Sequence, residues 1–226
     1  MRILVIGDLH CPAVHPQYMR FCKDLHKKWK CNKVVFIGDI ADWVSVTFHA
    51  KNPNLPGPKD EYELALREVQ KWYKLFPRAD ILIGNHDARV FRKAAAGDVP
   101  EFFLRDYAQI WETPKWNWVY EIEHDGVFYC HGTGRSGQYC AANKAKQEGR
   151  SCVLGHIHHT AGINWMFSGR QRFFGMSVGT GVDQDQLNFD YNKHSDKKSA
   201  LSAGIVMDGH PYLEVMPCSK GEKYAK

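Results

Sequence analysis

Aliphatic residues fall into short runs, and each run breaks off abruptly into glycine and polar residues. Arg2 to Gly7 is one continuous apolar run rich in β-branched side chains, the pattern of a strand buried on both faces. Pro16 to Lys30 reads as a helix with Phe21, Leu25 and Trp29 on a common face, and Lys33 to Gly38 as a second buried strand. The Pro/Gly-rich stretch Asn52 to Pro58 is a loop. It leads into a helix over Asp60 to Phe76 whose apolar stripe is Leu64, Leu66, Val69, Trp72, Tyr73 and Phe76. Ala79 to Gly84 is a third short strand. This β-α-β-α-β order implies parallel strands joined by right-handed crossovers.

The second half changes texture. Trp118 to Glu123 and Val127 to Cys130 flank the turn pair Asp125-Gly126, a hairpin signal. Gln138 to Glu148 reads as a helix, and Ser151 to Leu154, Arg170 to Val178, Ala203 to Met207 and Tyr212 to Val215 as strands. Residues 183–199 are polar without periodicity and are expected to form a surface loop. No repeat divides the chain, so a single α/β domain over residues 1–226 is expected, built on two sheets.

Composition narrows the class. Apolar residues make up 44% and charged residues 24%, ordinary values for a folded globular chain and not for a disordered or collagenous one. No run approaches the length of a membrane span, and the first residues enter a strand without a signal-peptide layout, so a cytoplasmic protein is expected. The seven cysteines (Cys11, Cys22, Cys31, Cys130, Cys140, Cys152 and Cys218) contain no Cys-x-x-Cys pair and read as reduced core thiols. A net charge of +5 is mild and spread along the chain; it allows a nucleic-acid partner without requiring one.

The twelve histidines carry more information, because many sit where the aliphatic runs stop. The runs end in Asp8-Leu9-His10, Gly38-Asp39-Ile40-Ala41-Asp42, Gly84-Asn85-His86-Asp87, His131-Gly132 and Gly155-His156-Ile157-His158. Ligands of parallel α/β sheets bind just beyond the carboxyl ends of strands, so these clusters are expected to converge. Asp, His and Asn without cysteine form a nitrogen/oxygen donor set suited to Mn²⁺, Fe, Zn²⁺ or Ni²⁺. Asp8 with His10, and His156 with His158, are each spaced to reach one ion, and the set is large enough for two ions with a bridging carboxylate.

In this order the blocks D-x-H, G-D-x-x-D, G-N-H-D, H-G and G-H-x-H resemble the calcineurin-like metallophosphoesterase superfamily, in particular its small single-domain bacterial and phage members. The resemblance implies a two-sheet β-sandwich flanked by helices, a four-layer α/β/β/α arrangement. It also implies two divalent metal ions, with Mn²⁺ the first choice. Asp8, His10 and His158 would hold one ion, Asn85, His131 and His156 the other, and Asp39 would bridge them. His86 would be the catalytic histidine with Asp87 as its carboxylate partner, and Asp42 would support the site. Two cations about 3.5–4 Å apart ionise a bridging water near neutral pH, and its hydroxide attacks phosphorus directly, without a covalent phospho-enzyme.

The departures bear on substrate. Trp43 stands where the protein phosphatases of the superfamily have a phosphate-gripping arginine, whereas Arg89 matches the second such arginine. Trp43 is therefore expected to line the cleft and Arg89 to hold phosphate. One arginine fork leaves less charge for a dianionic monoester, which tilts the reading toward phosphodiesters. The alternatives are a phosphomonoesterase acting on nucleotides, polynucleotide ends or phosphoproteins, and a non-catalytic metal-binding scaffold. A phosphorylated small molecule or nucleotide is the expected substrate. Phe102, Phe103, Tyr107, Trp111, Trp116 and Trp118 are read as a packing cluster before a base-stacking surface, and His49, His124, His194 and His210 as surface residues.

Overall fold

Ile3 and Val5 point to one side of their strand and Leu4 and Ile6 to the other, and all four are completely buried. Such a strand needs a cover on each face. A computed structural model supplies both covers; it describes residues 1–49, 51–183, 185–186 and 196–217.

The elements run in the order β1 (Arg2–Ile6), α1 (Tyr18–Lys28), β2 (Lys33–Phe36), α2 (Pro58–Leu75), β3 (Asp80–Leu82), α3 (Arg89–Ala96), α4 (Tyr107–Ile110), β4 (Asn117–Val119), β5 (Glu121–His124) and β6 (Val127–Cys130). They continue with α5 (Cys140–Glu148), β7 (Ser151–Leu154), β8 (Ala161–Phe167), β9 (Arg172–Val178), β10 (Ser202–Met207) and β11 (His210–Val215). One sheet of six strands has the order β11-β10-β1-β2-β3-β4, and a second of five has β5-β6-β7-β9-β8. β1 through β4 are mutually parallel, as are β6, β7 and β9.

The sheets meet through Ile3, Val5, Val35, Ile37 and Leu82 on one side and Val127, Tyr129, Val153, Phe174 and Met176 on the other. The outer face of the first sheet, with Leu4, Ile6, Phe36 and Ile81, is covered by Tyr18, Cys22 and Leu25 of α1 and Ala65, Val69 and Trp72 of α2. The outer face of the second, with Phe128, Cys152 and Leu154, is covered by Ala141 and Ala145 of α5. The layers are therefore helix, sheet, sheet and helix, the arrangement the family resemblance implied.

Several local expectations change. The strand expected over Trp118 to Glu123 is two strands: β4 pairs parallel with β3 in the first sheet, and β5 pairs antiparallel with β6 in the second. On α2, Leu64 is exposed and Glu61 is buried in its place. The second sheet also has an edge strand that the hydrophobic pattern does not mark, β8, which pairs antiparallel with β9. Trp111 and Trp116 are buried and Tyr107 stacks on Trp118, so the packing reading holds for them, whereas Phe102 and Phe103 are exposed. His124 is not a surface residue: its Nε2 lies 2.8 Å from the buried carboxylate of Asp80. The six cysteines described are free. Cys11 is buried with its thiol pKa pushed up by burial, which makes it a poor site for oxidation. Cys218, His194 and most of the 183–199 stretch lie outside the described residues.

Candidate metal centre

The residues singled out at five strand ends come together because β1, β2 and β3 run parallel in one sheet and β6 and β7 run parallel in the other. The chain leaves these strands by sharp turns. His10, Asp39, Trp43 and His156 all have positive φ (48°, 48°, 51° and 67°). Left-handed backbone at a non-glycine residue costs about 1–2 kcal/mol, so the surrounding structure must over-determine these positions. Part of that support is the backbone: the amides of Leu9 and His10 both donate to the carbonyl of Asp39, and the amide of Cys11 donates to that of Ile40. Two glycines are required by close approach. A Cβ on Gly84 would collide with the carboxylate of Asp39, and one on Gly155 with that of Asp8.

Three overlapping groups have ligand atoms all within 4.8 Å of one another: Asp8, His10 and His158; His10, Asp39 and His86; Asp39, His131 and His156. Asp8, His10, Asp39 and His131 are buried, and His156 and His158 are half-buried. His131 shows most clearly what the arrangement demands. Its Nδ1 faces the carbonyl of Ile37 at 3.0 Å, so Nδ1 carries the proton. Its Nε2 then faces two acceptors, Asp39 Oδ2 and the Asn85 side-chain oxygen, each at 3.1 Å. A neutral ring would set lone pair against lone pair there. The conflict is removed by a proton on Nε2 or by a cation among the three atoms.

The other side repeats the pattern. His10 Nδ1 lies 3.0 Å from Asp42 Oδ1, which leaves its Nε2 lone pair 3.1 Å from Nε2 of His158 and 3.5 Å from Asp39 Oδ2. His158 Nε2 in turn lies 3.1 Å from Asp8 Oδ2, and Asp8 Oδ1 is buried with no hydrogen-bond partner. Unpaired buried acceptors are costly, and here they are turned toward one region. The electrostatics agree. Burial opposes a charge on His131, but Asp39 and Asp8 outweigh it and lift its pKa to about 10. Burial and the neighbouring His86 push His10 down to about 4. One face of the cluster thus stabilises positive charge strongly, and the other keeps an imidazole lone pair available. These residues fit divalent cations with nitrogen/oxygen preference.

His86 lies beside this cluster. Its Nδ1 faces the Asp42 carbonyl at 2.8 Å and Asp42 Oδ1 at 3.0 Å. Burial opposes its protonation, but Asp39 and Asp42 outweigh it and raise its pKa above the ordinary value. Asp42, expected only to support the site, is therefore the carboxylate partner of His86. Asp87 is not that partner: Oδ1 accepts from the amide of Ala41 and Oδ2 from that of Gly84, so it ties two of the strand-end turns together. Burial, and then the charge of Asp39, lift Asp87 to about 7.

Two substrate expectations also need correction. The ring of Trp43 does not line a cleft; it packs in the core against Tyr62 and Trp111. What Trp43 presents is its carbonyl, which with that of Asp42 accepts from Nη1 of Arg89 at 3.1 and 2.9 Å. Nη2 of Arg89 donates to His86 Nε2 at 3.0 Å. Arg89 is thus engaged within the protein and orients His86.

Glu61 and Thr180 were missed. The buried Glu61 carboxylate accepts from the amides of Val44 and Ser45, both at 2.8 Å, and so fixes the turn that carries Asp42 and Trp43. The Thr180 hydroxyl donates to the carbonyl of Asp8 at 2.8 Å. Neither belongs to a motif; only the placement of Glu61 among apolar helix positions gave a signal.

No helix among the described residues is long and apolar enough to cross a membrane. No curated protein matches the sequence. Among solved structures, vacuolar protein sorting 29 from Cryptosporidium parvum is 14% identical, with 95% of this chain and 96% of that chain covered and a TM-score of 0.43. Yfce, a phosphoesterase from E. coli, is 14% identical over 92% of this chain and 88% of its own, with a TM-score of 0.41. Nuclease MPE from Pseudomonas putida is 14% identical over 94% and 87%, with a TM-score of 0.42. The family model described as calcineurin-like phosphoesterase matches residues 1–175, most of the 226-residue sequence and every strand end of the site. The chain belongs to the calcineurin-like phosphoesterase family.

Proposed function

We propose that the protein hydrolyses phosphate esters with two divalent cations, Mn²⁺ first among them, and prefers diesters. The observation that carries this reading is the convergence of acceptor lone pairs on both sides of Asp39. Asp8, His10 and His158 are assigned to one cation and Asn85, His131 and His156 to the other, with Asp39 between them. When bound, such cations supply a nucleophile from water at neutral pH and offset the charge of phosphate oxygens. The protein's own part is proton handling. Asp42 accepts from Nδ1 of His86 and so stabilises its imidazolium; once Arg89 Nη2 swings off Nε2, that atom takes a proton from solvent and passes it to the leaving oxygen. General-acid help of this kind is worth about 10²–10⁴-fold.

The preference for diesters rests on Arg89, whose fork is occupied by two carbonyls and an imidazole and so adds little grip on a dianion. The substrate is proposed to be a phosphorylated small molecule or nucleotide in a cytoplasmic setting, where free buried thiols persist. The test compares Mn²⁺-dependent turnover of bis-p-nitrophenyl phosphate and p-nitrophenyl phosphate, with His86→Ala as control. Faster diester turnover that is lost in the variant supports the reading. Faster monoester turnover replaces it with a phosphatase, and metal binding without turnover of either ester replaces it with a scaffold.

A further inference from the structure

Beside the metal centre the surface carries cations and aromatic rings in close association. α3 starts at Arg89, which is held against His86, and continues outward with Arg92 and Lys93. These follow Arg89 by three and four positions, so they lie on the same side of the helix about one turn, roughly 5 Å, farther from the site. Both are exposed, and neither makes an ion pair among the described residues. Instead they approach one ring: Lys93 Nζ is 4.0 Å and the Arg92 guanidinium carbon 5.4 Å from the centroid of Phe48.

Phe48 is itself 48% exposed and stands two residues beyond the short turn Val44–Val46 that packs against α3. Its position therefore depends on the turn that carries Asp42 and Trp43. Beyond α3 a second short turn, Glu101–Phe103, also packs against the helix. It presents Phe102 and Phe103 at 79% and 71% exposure, with ring centroids 4.3 Å apart. Between Arg89 and Arg105 the only acids are Asp98 and Glu101, both past the end of α3, against the bases Arg89, Arg92, Lys93 and Arg105.

Three large rings left in water, two of them adjacent, are not needed by the core. A purely apolar partner would leave Arg92 and Lys93 facing it without anions, a desolvation cost with no return. An unpaired polynucleotide satisfies both features, because its phosphates match the cations and its bases offer flat faces to the rings. Resting on the phosphoesterase reading above, we propose that this surface binds the strand of a single-stranded polynucleotide substrate, with Arg92 and Lys93 on phosphates next to the reacting one and Phe48, Phe102 and Phe103 stacking bases. In that role Arg92 and Lys93 supply the backbone grip that Arg89 does not.

The test is fluorescence anisotropy of a labelled oligothymidylate of about 12 nucleotides, a length within single-strand site sizes. It is read with Mn²⁺ on the His86→Ala chain, which prevents turnover. Phe48→Ala should weaken binding about tenfold, within the range for one stacked base. Arg92→Glu with Lys93→Glu should weaken it further and flatten the dependence of log affinity on log salt by about 1.4, two single-strand phosphate contacts. Thermal melts of each variant separate loss of surface from loss of fold.

No binding by the parent chain, equal binding by the variants, or tighter binding of a duplex of the same length would each overturn the proposal. So would self-association abolished by Phe102→Ser with Phe103→Ser, which would assign the rings to a second copy of the chain. Turnover of the small diester by the wild-type chain is measured alongside. Turnover without oligonucleotide binding defeats this inference alone, and binding without turnover defeats the hydrolase reading alone.

Discussion

Asp42 Oδ1 lies 3.0 Å from Nδ1 of His10 and 3.0 Å from Nδ1 of His86, so one oxygen sets the tautomer of two rings. Asp42→Ala is therefore expected to lower kcat on an activated diester by about 10²–10⁴-fold, the scale of general-acid loss. Asp87→Ala acts differently, because its carboxylate holds two backbone amides and no imidazole. It should cost about 1–3 kcal/mol in urea unfolding and reduce kcat less than Asp42→Ala; the reverse ranking would restore Asp87 as the partner of His86. Gly84→Ala drives a methyl group into the Asp39 carboxylate. A drop of about 10–100-fold in Mn²⁺ affinity by calorimetry is expected, the size of effect seen when the support of a ligand is disturbed. The site residues were legible because each follows an apolar run that can only be a strand. The division of labour between Asp42 and Asp87 was not: Asp87 follows His86 directly and Asp42 lies 44 residues earlier, and only the direction of each side chain in the folded protein shows which one meets the imidazole.

At the scale of elements, strand positions were readable wherever burial was two-sided, as in β1, β2 and β7, because no polar position interrupts the run. Half-buried elements were harder. β8 carries Gly162 and Asn164 and is only partly buried along its length, so its alternation is weak. The break between β4 and β5 falls at Tyr120, where the chain passes from one sheet to the other, and nothing in a run of alternating residues marks that passage. The passage is held by side chains at the end of the sheets remote from the candidate metal centre. Asp80 of β3 meets Lys33 of β2 at 2.7 Å, Asn117 of β4 at 2.9 Å and His124 of β5 at 2.8 Å. Burial opposes ionisation of Asp80, but Lys33, Asn117 and His124 outweigh it and depress its pKa below 3.8. A depressed carboxylate pKa contributes stability that is complete above the ordinary value and is lost as pH falls through the folded one. Asp80→Ala should thus cost about 1–3 kcal/mol at pH 7, and its stability should fall less steeply than wild type below about pH 4, as read by urea titrations at several pH values.

For the whole molecule, the candidate ligands divide between the sheets: Asp8, His10, Asp39 and Asn85 follow strands of the first, and His131, His156 and His158 follow strands of the second. Cations that bind only this arrangement add to stability by mass action, about 2.7 kcal/mol at a hundredfold excess over Kd. Chelation should lower the melting temperature by about 5–10 °C for a chain of this size, and Mn²⁺ should restore it. Two sheets in one α/β domain were legible from the order of strands, and the four-layer plan from the family resemblance, but the cross-sheet sharing of ligands required the fold. It has a consequence in time. Asp8 and His158 are 150 residues apart in the chain, and they meet only when the two sheets have docked. A growing or half-folded chain brings neither group of candidate ligands together, so any cation the site takes is expected to enter last and to act as a checkpoint on finished molecules. Stopped-flow refolding should then proceed at the same rate with or without Mn²⁺, while unfolding slows in its presence, as for any interaction absent from the transition state.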